Sequence, residues 1–337
     1  FKMINKILIV GQGSIGIRHT EISRNFFPNA DIRVLRHSGS TDITKYANSL
    51  LTNKEEVKNF KPQIAVICNP SSFHVDIAIY LARQGINLLI EKPLSNSLDR
   101  LDELMVIAKK KNITVLVGYN LRYKKSLIKF KESINTKNIG KILSVHCEAG
   151  QFLPDWRPNT DYRKTVSAQK ALGGGVLLEL SHEIDYLRWI FGKIDWVNGV
   201  LSKQSNLDID VEDCANLTMG LQNSNTIINL KLDFYKKDSR RNCIVHGEEG
   251  SLKWNAISGS VHQLSICKNV WEKIFDEGSI DNNQTYISEW EDFVNCIDQK
   301  EQPKVTLEDG LKVMQIIEAA RKSSNSKGMR VFVNKVL

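Results

Sequence analysis

The sequence has 337 residues, of which 42% are hydrophobic and 25% are charged, and its formal net charge is +8 at pH 7. This composition is typical of a folded chain with two domains or one large one, and it excludes the disordered and fibrous classes. Every apolar run is far shorter than the roughly 18 residues of a membrane helix. We therefore predict a cytoplasmic protein with no membrane partner.

The six cysteines lie far apart in the sequence, without a C-x-x-C pair or a Cys/His cluster at zinc spacing. Dispersed cysteines in a long chain indicate reduced, mostly buried side chains, and we predict no metal site. The positive charge permits an anionic partner, but no basic stripe is interleaved with aromatic residues. A phosphorylated small molecule is therefore favoured over nucleic acid.

The first third of the chain alternates short apolar strands with amphipathic helices. Strands are predicted at 6–10, 32–35, 64–67, 87–90 and 114–117, and helices at 14–27, 75–84 and 98–111. Strands that are apolar on both faces and separated by helices indicate a parallel sheet covered on both sides. We predict a doubly wound α/β domain over residues 1–120.

After residue 120 the pattern changes to that of an α+β domain. Helices are predicted at 124–133, 176–191, 287–297 and 307–322, strands at 142–148 and 226–234, a polar loop at 151–172 and a hairpin turn at 247–250. Residues 226–234 alternate apolar and polar side chains, the period of a strand with one buried face. We predict a substrate-binding domain over residues 121–337 with a large, mostly antiparallel sheet. Its exposed face favours a homodimer or a homotetramer.

A glycine-rich motif, G-x-G-x-x-G, stands between the first strand and the first helix. Its residues are Gly11, Gln12, Gly13, Ser14, Ile15 and Gly16. The glycines permit a tight turn, close approach of the backbone to a pyrophosphate and close helix packing, and the helix N-terminus faces the phosphates. The motif predicts a dinucleotide site at this turn.

The end of the second strand carries Arg36, His37 and Ser38, where an acidic residue commonly binds the ribose 2′-hydroxyl. A carboxylate repels a 2′-phosphate, whereas a guanidinium and a hydroxyl can bind one. We therefore predict NADP(H) in preference to NAD(H). The alternative is that Arg36 stacks on the adenine and that both cofactors bind.

Glu91, Lys92 and Pro93 follow the fourth predicted strand directly. Ligands of open α/β sheets bind at the carboxyl ends of the strands. Lys92 is therefore better placed for chemistry than an ordinary surface lysine.

Several motifs occur together in one order along most of the chain. They are the turn Gly11–Gly16, Asn69-Pro70 with His74, Glu91-Lys92-Pro93, the segment Gly118–Tyr123 and the helix that Gly173-Gly174-Gly175 opens. In this combination the sequence resembles the Gfo/Idh/MocA oxidoreductases, the family of glucose–fructose oxidoreductase and inositol 2-dehydrogenase. The resemblance implies an N-terminal Rossmann domain, an α+β C-terminal domain and an NAD(P) cofactor.

The same resemblance implies the site residues. The lysine of the E-K-P motif and a histidine on the glycine-led helix correspond to Lys92 and His182, which become the predicted catalytic pair. The acid that usually stands four residues before the histidine is absent, and either Glu179 or Asp185 is left to orient the imidazole. Further predicted cofactor contacts are Asn69, Pro70, His74, Glu91, Lys92 and Asn120. Predicted substrate contacts are Lys92, Asn120, Arg122, Trp156, Arg163, Glu179, His182 and Asp185.

The polar loop places Trp156 and Arg163 among further charged and aromatic residues, a composition that suits a sugar face, a carboxylate or a phosphate. It resembles a subgroup associated with bacterial surface-sugar metabolism. The alternative is a loop held to its own domain by Arg–Asp pairs.

These observations predict an NAD(P)-dependent dehydrogenase or reductase that acts on CH–OH groups of a sugar or a nucleotide sugar. Two alternatives belong to other classes. One is a non-catalytic sensor of NAD(P), and the other is an NAD-dependent glycosidase that oxidises and re-reduces its substrate.

Overall fold

The computed structural model describes residues 4–36, 42–136, 139–265, 269–279, 281 and 283–336. The predicted cofactor contacts His37 and Ser38 lie outside these residues. The chain forms two compact units. The first comprises Phe1–Asn120 and Asn282–Leu311, and the second comprises Leu121–Asp281 and Lys312–Leu337.

The first unit is built on a parallel sheet of six strands. They are β1 (Lys6–Val10), β2 (Asp31–Leu35), β3 (Ser49–Leu51), β4 (Ile64–Ile67), β5 (Asn87–Glu91) and β6 (Val115–Gly118). Their order in the sheet is β3-β2-β1-β4-β5-β6, so the direction of winding reverses between β1 and β4. This is the order of a Rossmann sheet, whose ligands bind at that reversal. The predicted doubly wound domain is confirmed.

Four helices connect these strands: α1 (Ser14–Phe26), α2 (Lys54–Phe60), α3 (His74–Arg83) and α4 (Leu101–Lys111). The predicted helices agree with α1, α3 and α4 to within a few residues. We did not predict β3 and α2, because a strand of three residues has no measurable period. A local signal does exist for α2, since Asn53 accepts a hydrogen bond from the Glu56 N–H as a helix N-cap.

The second unit is built on a sheet of nine strands. They are β7 (Ile142–Gly150), β8 (Ile194–Ser202), β9 (Cys214–Leu221), β10 (Ile227–Asp233), β11 (Arg240–Gly247), β12 (Gly250–Asn255), β13 (Ser260–Ser265), β14 (Val270–Asp276) and β15 (Val331–Phe332). Their order is β14-β13-β12-β11-β7-β10-β9-β8-β15. The pairing is antiparallel except between β7 and β10, which run parallel. The predicted mostly antiparallel sheet is confirmed, as is the hairpin between β11 and β12.

The remaining helices are α5 (Lys125–Asn135), α6 (Val176–Glu179), α7 (His182–Phe191), α8 (Gln284–Gln299) and α9 (Leu307–Asn325). The single helix predicted at 176–191 is wrong, because the chain breaks it between α6 and α7. The Ser181 N–H bonds to the carbonyl of Leu178, only three residues back, and this tighter turn ends the regular helical ladder. No helix in the described part of the chain has the length and apolarity needed to cross a bilayer.

Helix α8 packs within the first unit, although it follows strands β7 to β14 of the second unit in sequence. Trp290 and Phe293 are fully buried in one hydrophobic cluster with Ile22 and Ile32 of the Rossmann unit. The amphipathic pattern of α8 predicts a helix but does not show which core its apolar face covers.

Candidate active site

The glycine-rich turn has the close contacts that require glycine. Gly11 adopts a φ of +94°, and a Cβ there would lie 2.9 Å from the Asn69 backbone nitrogen. A Cβ on Gly16 would lie 2.3 Å from the carbonyl oxygen of Gly11. At Gly13, in contrast, a Cβ would meet nothing within 4 Å. Two of the three glycines therefore serve packing, and Gly13 faces open space.

The N-terminus of α1 suits an anion. Gly13 is its N-cap and makes no side-chain capping bond, and the first turn contains no acidic residue. The backbone N–H groups of this turn and the helix dipole favour a phosphate. Nearby, the buried side-chain oxygens Gln12 Oε1 and Asn69 Oδ1 have no hydrogen-bond partner among the described residues. The helix terminus therefore fits the pyrophosphate of a dinucleotide, and the two amide oxygens can accept hydrogen bonds from its hydroxyl or amide groups.

Arg36 follows β2 directly, as predicted, and its backbone N–H donates to the Leu51 carbonyl (3.0 Å). The Arg36 side chain is half-buried. Within the described ranges no hydrogen bond or ion pair holds its guanidinium. The residue therefore presents a cation at the end of β2.

His74 connects two of the predicted motifs. Its Nε2 lies 2.7 Å from the carbonyl oxygen of Asn69, and its Nδ1 lies 3.0 Å from that of Pro93. Burial lowers the pKa of His74 below its ordinary value, and a neutral ring donates to only one of these carbonyls. The contacts hold the Asn69-Pro70 turn and the E-K-P segment in fixed positions at the sheet edge.

Glu91 is the last residue of β5, and its carboxylate accepts two hydrogen bonds. Oε1 accepts from His19 Nε2 (2.7 Å), and Oε2 accepts from the Lys92 backbone N–H (3.1 Å). On the neighbouring strand, a Cβ on Gly118 would lie 3.0 Å from Oε2, so the carboxylate needs glycine there. Lys92 itself is half-buried. The hydrogen bond to Glu91 thus fixes the Lys92 backbone at the end of β5.

Sequence reasoning missed His19, Trp290 and Glu289. His19 Nδ1 accepts a hydrogen bond from Trp290 Nε1 (2.9 Å), a contact between residues 271 positions apart. Glu289 is fully buried beside them, and burial and the charge of Glu91 raise its pKa well above its ordinary value. No local pattern could have indicated these contacts, because they depend on the return of α8.

Asn120 lies within the first unit and is almost fully buried, with 7% of its surface exposed. Its side-chain amide donates to Thr285 Oγ1 at the start of α8 (3.0 Å). This bond fixes the amide's orientation. The contacts predicted for Asn120 with cofactor and substrate stay predictions.

In the second unit, His182 is the first residue of α7 and Glu179 is the last residue of α6. The two do not share one continuous helix, which removes the helical spacing on which their predicted pairing rested. Asp185 instead binds Arg122, with distances of 2.9 and 2.6 Å. Their side chains are 2% and 3% exposed. The acid that orients His182 stays a prediction.

Glu212, which sequence reasoning missed, contacts the turn before α6. Gly175 adopts a φ of +106°, and a Cβ there would lie 2.4 Å from Glu212 Oε1. That oxygen accepts a hydrogen bond from the Leu177 N–H (3.2 Å). Burial raises the pKa of Glu212. The absence of a side chain at Gly175 thus lets the Glu212 carboxylate approach the N-terminus of α6, the short helix that precedes His182.

The polar loop at 151–172 is held by contacts within its own unit. Arg163 donates two hydrogen bonds to Asp161 (2.8 and 2.9 Å). Trp156 donates to the Gln151 carbonyl (3.2 Å), and its ring meets Phe234 edge-on at 5.3 Å. This is the Arg–Asp arrangement considered as the alternative to a binding loop. The predicted contacts of Trp156 and Arg163 with substrate stay predictions.

Two profiles of one protein family match the chain. The profile of the oxidoreductase family's NAD-binding Rossmann fold matches residues 5–119, and that of its C-terminal alpha/beta domain matches residues 131–333. The chain belongs to the Gfo/Idh/MocA oxidoreductase family. The resemblance inferred from the motifs is confirmed.

Three proteins are similar over nearly the whole length of this chain. Myo-inositol 2-dehydrogenase of Thermotoga maritima is 23% identical over 344 residues, which cover 96% of this chain and 97% of that protein. A structure of levoglucosan dehydrogenase with NADH and levoglucosan has a TM-score of 0.85 at 21% identity and covers 98% of this chain and 100% of its own. The WlbA dehydrogenase from Bordetella pertussis, in complex with NADH and UDP-GlcNAcA, has a TM-score of 0.80 at 16% identity and covers 98% of each chain. These structures share the fold.

Proposed function

We propose that this Gfo/Idh/MocA oxidoreductase transfers a hydride between a nicotinamide cofactor and a carbinol or keto carbon of a sugar or nucleotide sugar. The observation that carries the proposal is the placement of Lys92. It follows β5 at the carboxyl end of the sheet, the same edge at which the glycine-rich turn follows β1. That edge is where a doubly wound sheet binds its ligand.

The bound nicotinamide would supply the hydride chemistry. Lys92 would stabilise the negative charge that develops on the substrate oxygen, and a preorganised cation at such a position is a large contributor to catalysis. His182 would exchange the hydroxyl proton as general base or acid. The first unit would hold the pyrophosphate through the turn Gly11–Gly16, and the Gln12 and Asn69 side-chain oxygens would accept from hydroxyl or amide groups of the dinucleotide.

The cofactor class follows from the NAD-binding profile, and the choice within it rests on Arg36. We propose a preference for NADP(H) over NAD(H), because a guanidinium after β2 can bind a 2′-phosphate. Two relatives were solved with NADH, which favours NAD(H). A comparison of the dissociation constants for NADPH and NADH decides between them.

The proposed substrate class follows the relatives. Myo-inositol and levoglucosan are hydroxylated rings, and UDP-GlcNAcA is a nucleotide-linked sugar acid. Each offers a secondary hydroxyl that a dehydrogenase can oxidise. We propose that Asn120 and His182 orient the substrate, together with Arg122, Asp185, Trp156 and Arg163 of the second unit.

A homo-oligomer is also part of this proposal. Strand β14 is an edge of the nine-stranded sheet and exposes Val270, Trp271 and Ile274. An exposed apolar edge strand is a template for pairing with another chain. Light scattering on the purified protein gives the mass, and a monomer at working concentration would contradict an oligomer.

The activity is tested with a panel of polyols, anhydrosugars and UDP-sugars, with each cofactor in each redox state, by nicotinamide absorbance. Native mass spectrometry of the same samples reports bound cofactor and ligand. We expect cofactor-dependent turnover of at least one compound. Ligand binding without any absorbance change would favour the sensor, and bond cleavage without net redox change would favour the glycosidase.

A further inference from the structure

A buried polar cluster lies beneath the E-K-P segment, entirely within the first unit. It consists of His19, Glu91 and Glu289, whose polar atoms lie within 4.8 Å of one another. His19 and Glu289 have no exposed surface, and Glu91 is 7% exposed. Burying a charged group costs free energy, so the protonation states of these two carboxyl groups and the imidazole matter.

The hydrogen bond from Trp290 decides the tautomer of His19. An indole N–H is only a donor, so His19 Nδ1 must accept and carries no proton. The proton of the neutral ring is therefore on Nε2, which donates to Glu91 Oε1. A protonated nitrogen has no lone pair for a metal ion, so this arrangement favours a proton network over a metal site.

The two carboxyl groups divide the charge between them. Glu91 accepts hydrogen bonds on both oxygens, from His19 and from the Lys92 backbone. Both oxygens of Glu289 are buried without a hydrogen-bond partner among the described residues. Two neighbouring buried carboxyls do not both ionise. The two N–H donors favour the charge on Glu91, whereas burial raises the pKa of Glu289 and favours its protonated form.

We propose that Glu91, oriented by His19 and Trp290, is a positioning residue that fixes the Lys92 peptide for catalysis. This inference rests on the proposed function of Lys92. His19 lies in α1, the helix that begins at the glycine-rich turn. Two successive hydrogen bonds therefore connect the helix at the proposed phosphate site to the backbone of the proposed catalytic lysine.

The test compares two substitutions of the same kind at neighbouring carboxyls. Glu91→Gln leaves one side-chain oxygen for two N–H donors, so one of the two hydrogen bonds is lost. We expect kcat for the panel substrate with the highest kcat/KM to fall about 10- to 100-fold, since small displacements of catalytic groups have effects of this size. The dissociation constant for NADH should stay within about twofold. Glu289→Gln replaces a neutral acid by a neutral amide and should leave kcat unchanged.

A second substitution tests the chain of donors. Trp290→Phe removes the indole N–H and lets His19 move its proton to Nδ1. Nε2 can then accept from the amide introduced by Glu91→Gln. The loss in kcat from Glu91→Gln should therefore be smaller in the Trp290→Phe background than in the wild-type background. Equal losses in the two backgrounds would overturn the inference.

A spectroscopic measurement covers the case in which a variant does not fold. Long-range ¹H–¹⁵N spectra of the wild-type protein at pH 8, with His19 assigned through His19→Gln, should show the proton on Nε2. A proton on Nδ1 contradicts the network. The Lys92→Ala variant distinguishes the proposed catalytic role of Lys92 from the proposed positioning role of Glu91. If it retains turnover, the proposed role of Lys92 fails, whereas an inactive Lys92→Ala beside a fully active Glu91→Gln overturns only the positioning role.

Discussion

Arg122 and Asp185 form a bidentate ion pair inside the second unit, with both side chains almost completely shielded from solvent. Arg163 and Asp161 form a similar pair on the surface, where the arginine side chain is 56% exposed. The two pairs share their chemistry and differ in burial. A comparison of the two pairs therefore shows how burial changes the contribution of an Arg–Asp pair to the free energy of unfolding.

Arg122→Ala should lower the free energy of unfolding by about 3–5 kcal/mol, because it leaves the buried Asp185 carboxylate without that partner. Arg163→Ala should have a much smaller effect, since solvent screens the surface pair. Urea denaturation of both variants measures the difference. Equal effects of the two substitutions would contradict the burial argument.

Gly13 and Gly16 provide a matched pair for the glycine-rich turn. Gly16→Ala places a Cβ against the Gly11 carbonyl and should destabilise the fold by about 1–3 kcal/mol. Gly13→Ala meets no atom of the protein within 4 Å, and stability should change by less than about 0.5 kcal/mol.

The same Gly13→Ala variant tests the phosphate site. Its methyl group would project into the space proposed for the pyrophosphate, so we expect NADH affinity to fall at least about tenfold, or about 1.4 kcal/mol. Titration by NADH fluorescence measures it. Unchanged affinity in a folded Gly13→Ala protein would place the cofactor elsewhere.

Arg36 tests the cofactor preference. A charge-assisted hydrogen bond is worth about 1.5–3 kcal/mol, so Arg36→Ala should weaken NADPH binding about ten- to hundredfold and leave NADH binding unchanged. Arg33, which is paired with Asp31 on the same strand, is the control position. Equal weakening of both cofactors by Arg36→Ala would instead indicate stacking on the adenine.

Lys92→Ala should lower kcat by about 10²-fold or more while NADH binding persists, because the lysine is proposed to act on charge that develops in the transition state. Lys109→Ala, at an exposed position in the last turn of α4, is the control for removing a lysine. Steady-state kinetics with the panel substrate measure both variants. Turnover of Lys92→Ala at the rate of the control would remove Lys92 from the mechanism.

Glu289 makes stability depend on pH. An unfolded glutamate loses its proton near pH 4.3, whereas burial raises the pKa of Glu289 in the folded protein well above that value. Between the two pKa values the folded state holds one more proton than the unfolded state. This group's contribution to the free energy of unfolding therefore falls by about 1.4 kcal/mol per pH unit as the pH rises.

Glu289→Gln removes this titration. The stability of the wild-type protein relative to the variant should decline from pH 5 to pH 8 in urea denaturation. A pH-independent difference would mean that Glu289 is ionised in the folded state.

Local patterns predicted most of the first unit. Strands β1 and β4 have the predicted bounds, because Gly11 follows the first apolar run and the polar Gln63 precedes the second. The glycine-rich turn and the E-K-P segment were predicted for the same reason, since their chemistry is contained in a few adjacent residues.

Long-range contacts could not be predicted. The partner of Asp185 is Arg122, and the partner of His19 is Trp290, and both pairs are brought together only by the tertiary fold. The break between α6 and α7 was also missed, because the apolar spacing continues across Ser181 while the hydrogen-bonding ladder does not. Sequence patterns thus predicted the motifs and most elements of the first unit, whereas the proton network depends on contacts that only the tertiary fold creates.

The return of α8 to the Rossmann unit has a consequence for biosynthesis. Trp290, Phe293 and Val294 complete a core whose other buried members lie between Ile4 and Leu116. Domains generally fold as units while the ribosome delivers the chain from its N-terminal end. The nucleotide-binding unit therefore cannot close its core until α8 has been made, and nascent chains arrested before α8 should expose the surface that the indole of Trp290 later covers.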